Sequence, residues 1–245
     1  MGSCWTLVAA VSNPHSANFS SLEYPNADCI GCPVGVDARK AVADGFPLKN
    51  VVTTDLKKGK LYHDFMTMST NIDILPEFFH MGHALFNTTP ATYPINFVPG
   101  DAFDPNMLRI VPPFDEPPST AKPDLTTLTS LNPLAGRCAV IYASNFIHLF
   151  SEENQLLMAK ALAGLLSCEP GSMICGEHAA NWEKGVYHTI HEGKRIEMFQ
   201  HSPESWNAIW DEVFEKGEVK VNSKLDLVEK TGLTYYRLQW SVVRL

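Results

Sequence analysis

The sequence predicts an α/β protein built on a doubly wound, mostly parallel sheet. Strand-like and helix-like stretches alternate along the chain. The most apolar strand-like run, Arg137–Tyr142, is continuous rather than alternating, as in a strand covered on both faces. The groups suited to ligand binding fall just after strand ends, where open α/β sheets hold their ligands.

The elements follow in order. Ala38–Asp44 reads as a short helix behind a glycine-containing loop, and Asn50–Thr54 as a β-branched strand. Pro76–Phe86 carries Phe78, Met81 and Leu85 at helical spacing, and Ile95–Val98 is a short apolar strand. Pro112–Pro133, rich in Pro, Ser and Thr, reads as a surface loop. After Arg137–Tyr142 comes a long helix opened by Ser151, with Glu152 and Glu153 in its first turn and a stripe of Leu156, Met158, Ala161, Leu162, Leu165 and Leu166. Gly171–Gly176 returns as a strand, and Pro203–Phe214 forms a helix with Trp206, Ile209, Trp210 and Val213 on one side. Val219–Val228 and Tyr235–Leu245 alternate as a closing antiparallel pair.

Composition narrows the function classes. The 245 residues are 45% hydrophobic and 19% charged, enough apolar material for a large core. The net charge of −8, with basic residues scattered, argues against a nucleic-acid or anionic-membrane partner. No segment reaches the ~20 apolar residues of a membrane span. The apolar stretch Trp5–Val11 lacks the basic flank of a secretion signal. Six cysteines in a chain this long point to free thiols in a reducing, cytoplasmic setting rather than a disulfide framework. Oligomeric state is not legible.

Cys29-Ile-Gly-Cys-Pro-Val-Gly-Val-Asp37 precedes the first helix, and Asp55 lies twenty residues beyond Gly35, after the next strand. Gly31 and Gly35 would let backbone approach a nucleotide, and Asp55 would take its ribose hydroxyls; a plain tight turn is the competing reading. Asp37 reads as a helix cap. Asp101 and Ala102 follow the third strand, where the acid would meet an adenine amino group or serve its own turn. Ser144 follows the fourth. Cys29-x-x-Cys32, His80-x-x-His83 and His188-x-x-His191 lack the spacing of a zinc site, so no metal is expected.

Several stretches resemble fungal class I S-adenosylmethionine-dependent methyltransferases, particularly the O-methyltransferases of meroterpenoid and related secondary-metabolite pathways. They are Gly31–Lys40, Ala43–Pro47, Val51–Leu56, Pro99–Asp104, Ala143–Phe150, Glu169–Ser172, Met198–Trp206 and Trp240–Leu245, together spanning about residues 30–245. The resemblance implies a Rossmann-like, seven-stranded sheet with an antiparallel last strand. It also implies S-adenosylmethionine over the first two strand ends, contacting Gly31, Gly35, Asp55, Asp101, Ala102 and Ser144. The sequence departs from the family twice. Residues 1–28 read as a poorly structured segment before the domain at 29–245, with Cys29 where an acid is expected, and residues 57–75 read as an insertion. A lost exon and a retained intron would leave these two marks.

Methyl transfer from a sulfonium is an in-line displacement in which the protein mainly positions the reactants and excludes water. His148 is the candidate base for a hydroxyl acceptor, and a carboxylate acceptor would need none. Phe146, His201 and Trp206 are candidate walls of a small-molecule pocket, against the alternative that they are core or local hydrogen-bonding residues. A cofactor-incompetent binding protein is the competing class. A nicotinamide oxidoreductase would require a G-x-G-x-x-G loop that is missing.

Overall fold

The computed structural model describes residues 7–10, 35–54, 56–57, 74–191, 194–230 and 233–245. Its strands are β1 (Leu7–Ala10), β2 (Val51–Thr54), β3 (Leu56–Lys57), β4 (Asn96–Phe97), β5 (Gly100–Asp101), β6 (Val140–Ala143), β7 (Met173–Ala180), β8 (Gly185–His191), β9 (Lys194–Gln200), β10 (Val219–Lys230) and β11 (Leu233–Arg244). Its α-helices are α1 (Val36–Ala43), α2 (Ile74–Leu85), α3 (Glu152–Leu165) and α4 (Pro203–Val213).

Seven strands form one sheet in the order β10-β11-β7-β6-β1-β2-β4. β2 pairs parallel with β4, and β6 with β7. β11 runs antiparallel to both β7 and β10, as expected of a closing strand. Four of the six pairings in this sheet are antiparallel, so the domain is α/β with a mixed sheet rather than the mostly parallel one expected.

Two features differ from the sequence expectation. The strand between β2 and β6 is Leu7–Ala10, inside the segment expected to be coil, and it runs antiparallel to both neighbours. Its four residues, Leu-Val-Ala-Ala, are small or apolar, which suits the centre of a covered sheet. Cys29, where an acid is expected, lies outside the described residues, as do 58–73, most of the expected insertion. The second difference is a two-stranded antiparallel hairpin, β8–β9, between β7 and α4. Its mixed sequence obscures the alternation by which a strand shows.

Both faces of the sheet are covered. Val52, Ile141, Ala143, Ile174, Leu238, Trp240 and Val242 point into one large core with α3 and α4. Val51, Val140 and Tyr142 point the other way and pack with Ala38 of α1, Phe46, Met173 and Cys175. Successive strand residues thus serve opposite cores, which explains the unbroken apolar run.

The helix starts are locally specified. The Ser151 hydroxyl accepts from the Asn154 amide at the start of α3. Ser202 and Ser205 form a reciprocal capping box on α4, with Pro203 in its first turn. α1 differs from expectation. Its N-cap is Gly35, at φ 75°, with no side-chain cap, so Asp37 does not serve as one. The left-handed backbone there is open to glycine and strained for any other residue. The Pro112–Pro133 loop is also less free than its composition suggests. Leu131 is fully buried, while Arg137 donates to the Thr120 carbonyl and Arg244 to that of Phe114.

Candidate functional site

The carboxyl ends of β6 and β7 bring the polar groups together. Beyond Ala143, the buried Ser144 hydroxyl accepts from the Asn145 side-chain amide at 3.2 Å. Asn145 adopts φ 50°, a left-handed conformation that asparagine tolerates better than most residues, and its backbone N–H donates to the Glu177 carbonyl at 2.6 Å. This bond fastens the loop after β6 to the end of β7.

Glu177 is buried and receives Arg237 Nη1 at 3.5 Å and Gln239 Nε2 at 3.5 Å, both from β11. Asp37, in the first turn of α1, faces the same region. Burial, and secondarily the charge of Glu177, raise its pKa to about 6. Asp37, in the first turn of α1, thus feels the charge of Glu177, which lies in β7 beyond its pairing with β6. The two acids repel each other, and Arg237 already supplies one cation at Glu177.

The raised pKa has a stability consequence. The protonated Asp37 favours the fold fully below about 4, and that contribution is lost as pH rises through about 6. Asp37→Asn is therefore expected to stabilise the ligand-free protein at about pH 7, by about 1–2 kcal/mol after discounting for partial solvation. Denaturant titration at about pH 7 and about pH 5 checks it, because the gain should shrink at the lower pH, where Asp37 is mostly protonated in the fold.

Behind this edge lies a buried cluster of histidine and tryptophan. His148 sits in the 3₁₀ turn Ile147–Leu149, and its ring stacks on His178 of β7 at 6.2 Å between centroids. His178 packs edge-on against Trp206 at 4.6 Å, and Trp206 contacts Trp240 at 5.0 Å and His201 at 5.8 Å. The indole N–H of Trp240 donates to His178 Nδ1 at 3.0 Å. Gln155 of α3 clamps the surroundings by donating to the Phe150 and Phe199 carbonyls. Burial lowers the His148 and His201 pKa values to about 4 and holds His178 well below the usual range, so all three rings are neutral at about pH 7.

Ser144 and His148 stand on the loop after β6, as expected. Phe146 is core: it is buried, with its ring edge-on to Phe150 at 4.9 Å. His201 accepts or donates at Ser205 Oγ, 2.9 Å away, within the α4 capping network. Trp206 is fully buried among rings rather than lining an open wall. Asp101 turns one oxygen onto the Phe103 amide at 2.9 Å, the local turn role. Ala102 is buried beside it in the core. Gly35 caps α1. Gly31 and Asp55 lie outside the described residues.

Asn145, Glu177 and His178 were not singled out from sequence. The signal was the polar Glu177-His178 pair just beyond Gly176, after the apolar run Met173–Cys175 of a strand in an α/β sheet. A separate open cavity of about 410 Å³ lies along the β4 edge, between His80, Asn96, Phe97, Leu125, Thr126 and Leu128. It includes none of these acids or buried histidines. Among the described residues, no cluster of His, Cys, Asp or Glu has the makings of a metal site. No helix among them is long and apolar enough to cross a membrane.

The arrangement defines an α/β domain with its polar groups gathered on the carboxyl edge of a mixed sheet. No family model matches the chain. It is similar, over most of its length, to a group of fungal methyltransferases. O-methyltransferase phiE of Fungal sp. is 26% identical over 184 residues, 75% of this chain and 47% of the relative. Methyltransferase ausD of Penicillium brasilianum is 25% identical over 193 residues, 79% of this chain and 54% of the relative. The asnovolin E/chermesin D methyltransferase nvfJ of Aspergillus novofumigatus is 28% identical over 200 residues, 81% of this chain and 55% of the relative. The chain thus spans about half the length of these relatives.

Proposed function

We propose that the chain is a methyl-transfer domain that uses S-adenosylmethionine to methylate a hydroxyl or carboxylate of a small molecule in secondary metabolism. Its sheet is read as a class I, Rossmann-like sheet. The observation behind the cofactor assignment is that Asp37, at the start of α1, feels the charge of Glu177, which lies in β7 just past its pairing with β6. S-adenosylmethionine brings a sulfonium and an ammonium, and such cationic groups suit a buried pair of acids. When bound, it supplies an electrophilic methyl group. Gly31, Gly35, Asp55, Asp101, Ala102 and Ser144 remain the proposed contacts to the rest of it.

The chain's own residues would then do three things. Asp37 and Glu177 neutralise the cation, and Ser144 and Asn145 fix the loop that faces it. The aromatic layer behind them excludes water from the reacting centre. His148, neutral at about pH 7, is available to take a hydroxyl proton, although its depressed pKa makes it a weak base. His148→Asn is expected to lower turnover of a phenol by about 10²-fold and to leave turnover of a carboxylic acid nearly unchanged. Equal losses with both acceptors would remove the base assignment.

Incubation with methyl-labelled S-adenosylmethionine and a panel of phenols, alcohols and carboxylic acids tests the function. Label in at least one organic product is expected, and Asp37→Asn should raise the KM for the methyl donor. A panel that takes up no label, under conditions where a known methyltransferase labels it, would contradict the proposal.

The reversed β1 favours a second reading. A strand antiparallel to β2 and β6 leaves the sheet at the edge opposite the acids. That topology suits a methyltransferase-like binding protein that does not hold the cofactor. Binding measurements separate the two readings.

A further inference from the structure

Buried nitrogen atoms of the aromatic cluster without a hydrogen-bond partner among the described residues include His178 Nε2, His201 Nε2 and Trp206 Nε1, and also Trp210 Nε1 on the far side of the Trp206–Trp210 contact. Their residues are at most 2% exposed. Trp206 touches both histidine rings, so the three rings that carry the first three atoms form one contiguous group. A buried polar atom left unpaired costs about 1–3 kcal/mol, and three in one place call for a common partner.

The neighbouring bonds fix what each atom offers. Indole nitrogen only donates, so the Trp240 bond makes His178 Nδ1 an acceptor. A neutral His178 must then carry its hydrogen on Nε2, which becomes a donor. The Ser205 hydroxyl has one hydrogen, and when that hydrogen lies on the Ser202 carbonyl, 3.2 Å away, the oxygen accepts from His201 Nδ1 at 2.9 Å. That leaves the His201 lone pair on Nε2. Trp206 Nε1 is a donor by nature.

We propose that His178, His201 and Trp206 form a site for one neutral hydroxyl oxygen, which accepts from His178 and Trp206 and donates to His201. Two donors and one acceptor are the complement of a water molecule or an alcohol, and buried waters make about three such bonds. The cluster offers no charge to an anionic oxygen, because its histidines are neutral. The hydroxyl could come from water or from an organic acceptor, and both present the same chemistry. The site itself does not depend on methyl transfer.

Two measurements test it. Nitrogen-15 NMR of the ligand-free protein, with its histidines assigned, should show His178 protonated on Nε2 and His201 on Nδ1. The opposite tautomer at either ring would overturn the proposal. Crystals of the full chain should show one ordered oxygen within hydrogen-bond distance of all three nitrogens, and a dry cluster would overturn it. Soaking with phenol distinguishes the sources. A retained water marks a structural water site, whereas replacement by the phenol oxygen marks an acceptor subsite, and either supports the assignment.

Discussion

Acidification from about pH 7 to about pH 4 is expected to unfold the protein. His148 and His201 titrate near 6.5 when unfolded and near 4 in the fold, where burial penalises the imidazolium. Between those values the unfolded chain binds more protons, so stability rises with pH across the window and falls as pH drops. Each ring forfeits about 3 kcal/mol, and two together reach the scale of a typical domain's whole stability. His178 is shifted in the same direction, with burial as the first cause and the charges of His148 and His201 next. Asp37 opposes them, because its stabilising protonation returns below about 6, but one half-buried acid offsets only part of the loss. Denaturant midpoints measured in steps across this window should fall steeply below about 6. A midpoint unchanged at about pH 4 would mean the histidines are hydrated.

The second large effect comes from Gly176→Ala. A Cβ at Gly176 would lie 1.9 Å from the Ala143 carbonyl oxygen and 2.7 Å from its carbon, both backbone atoms, and 3.2 Å from the Trp240 ring. Backbone in the centre of a sheet cannot step aside as a side chain can, so β6 and β7 would have to separate. Overpacking of this kind costs about 3 kcal/mol or more. The strain would also fall on the loop that follows Ala143, displacing Ser144 and Asn145 from the end of β7. Thermal melts should show the variant unfolding well below the parent, and residual folded protein should bind the methyl donor more weakly. A melt within a degree or two of the parent would show that β6 and β7 are not packed as described.

The strands and helices specified by their own local sequence were legible. β2, β6, α3 and α4 lie within a few residues of their expected spans, because β-branched runs and capping serines act locally. β7 runs four residues past its expected end, since polar Glu177 and His178 look like the start of a loop yet are paired to Gln239 and Leu238 of β11. β1 was hidden because Leu7–Ala10 is too short to show a period and its partners lie more than forty residues away. The site was legible as an edge but not as a set of groups. Ser144 and His148 were placed by following strand ends, whereas the Asp37–Glu177 pair and the Trp240–His178 bond join residues distant in sequence. Phe146 and Trp206 show the limit of reading aromatic stripes: the same spacing serves a pocket wall and a core.

Isothermal titration of the protein with S-adenosylmethionine, S-adenosylhomocysteine and NAD tests the central claim most directly. Saturable binding of the first two, weakened by Asp37→Asn, and no binding of NAD is the predicted result. Absence of measurable heat from both adenosyl ligands at millimolar concentration, with the protein folded by circular dichroism, would contradict it.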